Sequence, residues 1–263
     1  MSNRVALVTG AAQGIGRGIA EQLGADGFRV GVADLNLDAA EETAAAIRSA
    51  GGSAIAVQID VTDTASVQAA VKAVTEEVGS IEVVVNNAGF DDFMKFLDTT
   101  EDFWDRVLEV NFKGTLRVVQ ATAPGMVERG WGRVVSIGSD AGRVGSSLEA
   151  VYSGAKGGII AFSKTLAREL ATTGVTVNTV CPGPTDTPAL RKFAANSAKP
   201  ASGTSGTAGA DAEKVITGMT RAVPMRRLAQ PADIAGAVAY LASDAASYVT
   251  GQTLSVSGGL TMA

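Results

Sequence analysis

At 263 residues, 46% hydrophobic and 19% charged, the chain has the length and balance of one large folded α/β domain and not of a disordered polymer. A formal net charge of -5 and the complete lack of histidine argue against a nucleic-acid surface, and they remove serine–histidine hydrolysis and the usual zinc sites. The single cysteine, Cys181, forms no internal disulfide; with no basic and apolar leader and no apolar run near the ~20 residues a bilayer requires, a soluble cytoplasmic protein is expected.

Arg4–Thr9 (RVALVT) reads as a strand, followed by GAAQGIG and an amphipathic stretch to Asp26. Strand, glycine turn and helix together offer free N–H groups and a positive dipole end to a pyrophosphate. Gly10, Gly14 and Gly16 let the backbone turn sharply and approach a ligand. Their spacing is G-x-x-x-G-x-G, not the general G-x-G-x-x-G, and taken alone it fits a ligand-free glycine turn equally well. The next strand, Arg29–Ala33, ends in Asp34, roughly 20 residues past the turn, where a carboxylate accepts hydrogen bonds from an adenosine ribose and repels a 2′-phosphate. Neither Gln13 nor Leu35-Asn36-Leu37 supplies a cation, so NAD is expected over NADP.

The alternation repeats with a helix (37–50), a strand (53–59) ending at Asp60, a helix (63–78) with Thr62 as its expected cap, and a strand (81–85). NNAG, Asn86–Gly89, follows: either its side chains tie neighbouring loops or it is a plain Asn-rich turn. Thr99 or Thr100 caps a long helical region reaching Arg129, with Trp104, Val107, Leu108, Leu116 and Val119 on its apolar face. Asn111 interrupts that face between Val110 and Phe112. An amide there is a poor helix former and costly if buried unpaired, so it is either exposed or held inward for a purpose.

Arg133–Ile137 is the fifth strand and Ser139 lies just past its end. After a loop, Tyr152 and Lys156 open a helical pattern running through Leu170, and their i, i+4 spacing puts a phenol and an ammonium on one face. The cation is expected to lower the tyrosine pKa, giving a proton donor and acceptor usable near neutral pH. As a lone pair they also fit chance surface neighbours. Gly154, Ala155, Gly157 and Gly158 crowd this helix at a propensity cost of roughly 1 kcal/mol per glycine, which reads as close approach of something to the backbone. A sixth strand, Val175–Val180, is broken off by Cys181-Pro182-Gly183-Pro184. From Thr185 to Ala222 the pattern loosens, with Asn196–Ala210 reading as a mobile loop or lid between two short helices. A helix from Pro231 to Ser243 and a seventh strand, Thr253–Val256, complete the chain. Such alternation predicts a parallel sheet with helices on both faces, binding its ligands at the carboxyl ends of the strands. Gly10–Gly16, Asp34, Asp60, Asn86–Gly89, Ser139 and Pro182–Thr187 all fall at such ends.

In this order TGAAQGIG, Asp34, NNAG, Asn111, Ser139 and YSGAK resemble the short-chain dehydrogenase/reductase family over essentially the whole chain. The resemblance implies a single-domain Rossmann fold over 1–263, a seven-stranded doubly wound parallel sheet with a substrate loop at about 185–222, and a homotetramer. It implies Tyr152 as general acid/base, Ser139 as holder of the substrate oxygen, Lys156 as the group lowering the tyrosine pKa and binding the nicotinamide ribose, and Asn111 as holder of a water linking Lys156 to solvent. For the cofactor it implies Gly10, Gln13, Gly14, Ile15 and Gly16 in the turn, Asp34 and Leu35 at the ribose, Asp60 and Val61 at the adenine, and Asn87, Ala88 and Gly89 along it. Pro182, Gly183, Thr185 and Thr187, with Tyr152 and Lys156, belong to its nicotinamide end; no metal is implied. Thr185 stands where the family commonly has an aliphatic residue.

The expected activity is reversible NAD-dependent oxidation of a secondary alcohol to a ketone. SDAGRVGSSLEAVYSGAKGG, VCPGPTDT and GQTLSVSGGLTM are similar to a member acting on a cyclic β-hydroxyacyl-CoA such as 2-hydroxycyclohexanecarboxyl-CoA. For such a thioester, Arg143, Arg191 or Lys192 either meet phosphates or carboxylate or remain solvated surface charges. The alternatives are a 3-oxoacyl-carrier-protein reductase, which would normally favour NADPH, and a general alcohol dehydrogenase. A non-catalytic dinucleotide-binding regulator would have little use for Asn111, Ser139, Tyr152 and Lys156 together.

Overall fold

The computed structural model describes residues 3–197 and 208–262. Seven strands form one parallel sheet: β1 (Val5–Thr9), β2 (Arg29–Asp34), β3 (Ser53–Gln58), β4 (Ile81–Asn86), β5 (Gly132–Ile137), β6 (Val175–Pro182) and β7 (Thr253–Val256). Their order is β3-β2-β1-β4-β5-β6-β7. β1 and β5 are buried along their whole length, which is why their sequences are not cleanly alternating. Successive side chains of β1 feed two separate cores: Ala6 and Val8 join Ile19, Leu23, Ile234 and Val238, whereas Val5 and Leu7 join Val74, Val118, Met126 and Val177. Each fully buried aliphatic side chain contributes about 1.5–3 kcal/mol, so covering both faces is strongly favoured over leaving one open.

The helices are α1 (Gly14–Ala25), α2 (Leu37–Ser49), α3 (Thr64–Glu77), α4 (Glu101–Leu108), α5 (Gly114–Arg129), α6 (Ala141–Val144), α7 (Ala150–Glu169), α8 (Pro188–Ser197), α9 (Ala208–Ala222) and α10 (Pro231–Ala242). α1, α2 and α10 cover one face; α3, α5 and α7 cover the other. The chain steps outward from β1 to β3 and then returns to β4 on the far side of β1. The loops after β1 and β4 therefore meet at the switch point, the crevice where open α/β sheets take ligands.

Three local expectations need correction. Asp63, not Thr62, caps α3, accepting from the Ala65 N–H at 2.9 Å; Thr62 instead donates its N–H and its hydroxyl to Asp60, at 2.8 and 2.7 Å. The long helix to Arg129 is split into α4, capped by Thr100, a π-helical turn at Glu109–Lys113, and α5. Of the low-complexity stretch 196–210, residues 198–207 lie outside the described residues; Asn196 and Ser197 belong to α8 and Ala208–Ala210 to α9, so helix reaches further in from both sides than expected. Among the described residues no helix is long and apolar enough to cross a membrane.

Candidate active site

The glycine turn after β1 is shaped by two left-handed positions, Gly10 at φ 63° and Gly14 at φ 57°, where a side chain would strain the backbone. Gly16 is needed for a different reason: a Cβ there would collide with the Gly10 carbonyl oxygen and the Asn87 amide. Ile15 packs on the core beneath. Gln13, at the head of α1, lends no side-chain cap, and the first turn of the helix holds no acidic residue. The leading amides of α1 thus remain donors without a side-chain partner, a donor set that fits the pyrophosphate of a dinucleotide. Thr187 closes this side, with its methyl carbon 3.3 Å from the place a Gly14 Cβ would take.

Asp34, at the end of β2, accepts from the Ala12 N–H and the Asn36 N–H, each at 3.0 Å, so its carboxylate is pinned beside the glycine turn. Leu35 next to it is 63% exposed and supplies only its carbonyl, to Gln58. Asp60 is held below the usual carboxylate range, first by the Thr62 hydroxyl and then by the Thr62 N–H, and Val61 beside it is buried. NNAG does tie loops together: Asn87 donates its amide to the carbonyls of Thr9 (3.0 Å) and Gly10 (2.9 Å), and the Asn87 and Ala88 N–H groups both donate to the Thr9 hydroxyl at 3.1 Å. At the end of β6, the Gly183 N–H donates to Val256 at 3.0 Å, and a Cβ on Gly183 would stand 2.7 Å from Ser257. The buried Thr185 donates its hydroxyl to Gly183 and is bridged through backbone to Ala229, so a polar side chain is accommodated where an aliphatic one is common.

Asn111 is fully buried in the π-helical turn, and its purpose there is visible. Its amide donates to the carbonyls of Phe90 (2.5 Å) and Val107 (2.9 Å), and its oxygen accepts from the Phe90 N–H at 3.3 Å. The extra residue in the turn rotates this amide inward, where it clamps the loop that leaves β4. A Cβ on Gly89 would sit 3.0 Å from Asn111 Oδ1 and 3.9 Å from Lys156 Nζ, so the three residues converge at one point.

Ser139 follows β5 and accepts from the Ala141 N–H at 3.1 Å. Tyr152 and Lys156 lie on the first two turns of α7, with the ammonium 5.5 Å from the ring centroid and donating to the Ile137 carbonyl at 2.9 Å. The expected lowering of the tyrosine pKa does not occur in this state. Burial raises it first, and the charges of Glu149 and Asp91 add to the rise; contact with Ser139 opposes it without overcoming it. The same burial pushes the Lys156 ammonium down to about 8. Cys181 is buried in the sheet and its thiol is pushed up to about 12, as expected of a core residue.

The close approach that the crowded glycines of α7 suggested is made, at Gly157, by protein. Gly142 of α6 packs so closely that its Cβ would lie 2.6 Å from the Lys156 carbonyl carbon and the Gly157 nitrogen, while Gly158 faces the Phe112 ring and Gly154 faces open space. They accommodate neighbouring elements. The arginines considered for a thioester's charges are engaged elsewhere: Arg143 donates to Ser255 at 2.5 Å beside Asp140, and Arg191 makes two 2.7 Å bonds to Asp186. Lys192 is exposed. The sequence reading missed Asp91, which faces Glu149 and Tyr152 across a cleft; the signal was two consecutive acids, Asp91-Asp92, directly behind NNAG.

The family model described as enoyl-(acyl carrier protein) reductase matches residues 10–261. Nodulation protein G of Azospirillum brasilense is 38% identical over 263 residues, covering 99% of each chain. The 3-oxoacyl-(acyl-carrier-protein) reductase FabG of Escherichia coli is 37% identical over 260 residues, covering 98% of each. A variant actinorhodin polyketide ketoreductase solved with NADPH superposes with a TM-score of 0.90 at 39% identity, over 98% of this chain and 97% of that one. The likeness therefore runs through the sheet, its covering helices and the strand ends where the polar residues gather, and the chain belongs to the short-chain dehydrogenase/reductase family of oxidoreductases.

Proposed function

We propose that the protein interconverts a secondary alcohol and a ketone with NAD, acting on a β-hydroxyacyl or β-ketoacyl thioester such as 2-hydroxycyclohexanecarboxyl-CoA. The observation that carries the reading is the enclosed Tyr152 phenol, with Ser139 beside it and Lys156 one turn further on. Held above its ordinary value, the phenol keeps its proton at neutral pH and donates it to a ketone oxygen; in the reverse direction the phenolate takes the hydroxyl proton. Ser139 donates to that same oxygen and stabilises charge developing on it. Lys156, pushed down to about 8, exchanges its proton readily and passes it toward Tyr152, and Asn111 fixes the loop beside it. When bound, the nicotinamide accepts or supplies the hydride. Gly10, Gln13, Gly14, Ile15 and Gly16 would hold the pyrophosphate, Asp34 and Leu35 the adenosine ribose, and Asp60 and Val61 the adenine. Asn87, Ala88 and Gly89 would line the middle, with Pro182, Gly183, Thr185, Thr187, Tyr152 and Lys156 at the nicotinamide end.

The choice of NAD rests on the Asp34 carboxylate, which stands where a 2′-phosphate would be repelled. The choice of thioester rests on the likeness of 138–158, 180–187 and 251–262 to 2-hydroxycyclohexanecarboxyl-CoA dehydrogenase. A second reading, a 3-oxoacyl-carrier-protein reductase using NADPH, is favoured by the FabG relative and by the NADPH in the ketoreductase neighbour. We assign substrate contacts within 185–222 to α8, whose Phe193 ring lies 3.8 Å from that of Phe93, centroid to centroid. Homotetramer formation in the cytoplasm is part of the same proposal, supported by the exposed Tyr240, Tyr248, Leu254, Leu260 and Met262; light scattering on the eluted protein tests the assembly. Rates with NADH and NADPH, each against CoA and carrier-protein thioesters, separate the two readings. Tyr152→Phe is expected to lower kcat by ~10²–10⁴-fold with NADH affinity nearly unchanged; full turnover in that variant would defeat the assignment.

A further inference from the structure

The loop leaving β4 reads Phe90-Asp91-Asp92-Phe93 and folds against the segment before α7. The Met94 N–H donates to the Leu148 carbonyl at 2.9 Å, and Leu148 adopts a left-handed φ of 69°, which costs a leucine about 1–2 kcal/mol. Leu148 is 44% exposed, and the backbone bond to Met94 anchors it where local preference would not. Between the two segments lies a narrow cleft lined by Asp91, Phe103, Leu148, Glu149, Val151 and Tyr152 among others. Its walls mix apolar side chains, Met94, Phe96, Phe103 and Val151 among them, with the polar groups of Asp91, Asp92, Thr99, Glu149 and Tyr152.

Both carboxyl oxygens of Asp91 are sealed from water; they face the Glu149 carboxyl and the Asp92 N–H, neither of them at good hydrogen-bond geometry. A buried polar group left in that condition costs about 1–3 kcal/mol, and folded proteins keep few of them. The proton transfer described above makes no use of this one. The ionisable groups around it are Glu149 and Asp92 on the loops and Tyr152 and Lys156 on α7. Burial first, and then the charge and contact of Glu149, push the Asp91 carboxyl up to about 8. Glu149 itself is held by the Ser146 hydroxyl. At neutral pH Asp91 is therefore a carboxylic acid, with one O–H to donate. A substrate carboxylate in this cleft would meet Glu149 and be repelled, whereas a carbonyl would be received.

We propose that Asp91 is a specificity-determining residue whose carboxylic acid donates a hydrogen bond to a second carbonyl of the substrate, next to the oxygen served by Tyr152. This rests on the alcohol–ketone reading above and deepens it: the site selects 1,3-related oxygen functions, as in β-ketoacyl thioesters, over plain ketones.

The test compares reduction of acetoacetyl-CoA and of cyclohexanone by the holoenzyme. Asp91→Leu is expected to lower kcat/KM for acetoacetyl-CoA by ~10–100-fold and to change cyclohexanone by less than ~3-fold, within the worth of one hydrogen bond in a buried site. Asp91→Asn, which keeps the shape and a donor, retains the preference and loses the decline in thioester rate as the pH passes about 8. Equal loss on both compounds, no loss on either, or loss of the preference in Asp91→Asn overturns the proposal. Should neither compound turn over, the reaction reading fails separately, and equilibrium binding of acetoacetyl-CoA to wild type and Asp91→Leu decides: weaker binding to the variant supports Asp91, equal binding overturns it. Where Asp91→Leu does not fold, Asp91→Asn alone carries both readouts.

Discussion

Asn87 and Asp91 stand four residues apart on one loop and live in opposite surroundings. Asn87 gives its amide to two carbonyls of the glycine turn, while Asp91 is buried with no such partner. The same contrast divides the whole edge of the sheet. Around the glycine turn, Asp34, Asp60 and Asn87 are tied to nearby backbone, and the glycines are packed against it. On the substrate side, Asp91, Tyr152 and Lys156 are displaced from their ordinary protonation equilibria by burial. A surface that recognises one constant shape gains from rigidity, and backbone partners supply it. Burial there sets which form each group holds at neutral pH: it keeps the proton on the Tyr152 phenol and on the Asp91 carboxyl, and brings the two states of Lys156 closer together.

The contrast can be broken most forcefully at Gly16. Gly16→Ala forces a methyl into the Gly10 carbonyl, so stability should fall by about 1–3 kcal/mol or more and dinucleotide binding should be lost; chemical unfolding and cofactor titration read both.

On the substrate side, Asp91 makes stability depend on pH. Its carboxyl sits above its unfolded value of 3.8, at about 8, so the folded chain binds the extra proton between those values. Its contribution is fully present below pH ~4 and is lost as the pH rises through about 8. Asp91→Asn should match wild type at low pH and become progressively more stable than it up to about pH 8, as followed by urea unfolding across that range. A constant difference would contradict the assignment of the burial to a titrating carboxyl.

Asn87→Ala should cost about 1–3 kcal/mol by leaving the Thr9 and Gly10 carbonyls unpaired, and should weaken cofactor binding more than it lowers kcat. The smallest effect is expected at Gly154, which is exposed on α7 with open space where a Cβ would go. Gly154→Ala should raise stability by about 0.4–1 kcal/mol, visible as a small shift in Tm; a loss instead would show that the space beside Gly154 is needed.

Much of the architecture was legible because it is written locally. A continuous apolar run, a glycine turn and an amphipathic stretch specify a buried strand, a sharp turn and a helix, and repeating that unit leaves a parallel sheet as the economical solution. The strand-end positions of Gly10, Asp34, Asn87 and Ser139 followed from the same periodicity. The resemblance to the family was likewise carried by residues in order along the chain.

Local sequence thus specified the backbone: where strands end, where φ must turn positive, and which faces are apolar. Tertiary structure alone decided the electrostatic setting of the residues placed there. Lys156 was expected to lower the tyrosine pKa from one helical turn away, but it donates to Ile137, while Asp91 is brought from the loop after β4 to join Glu149 at the head of α7. Gly157 and Gly158 of α7 make room for Gly142 and Phe112, which lie 15 and 46 residues away along the chain. Asn111 needed a π-helical turn to bring it inward, and no propensity at 109–113 signals that. The physical reason is common to all three: dihedral preferences belong to a residue and its chain neighbours, whereas desolvation and charge depend on what other segments pack around it.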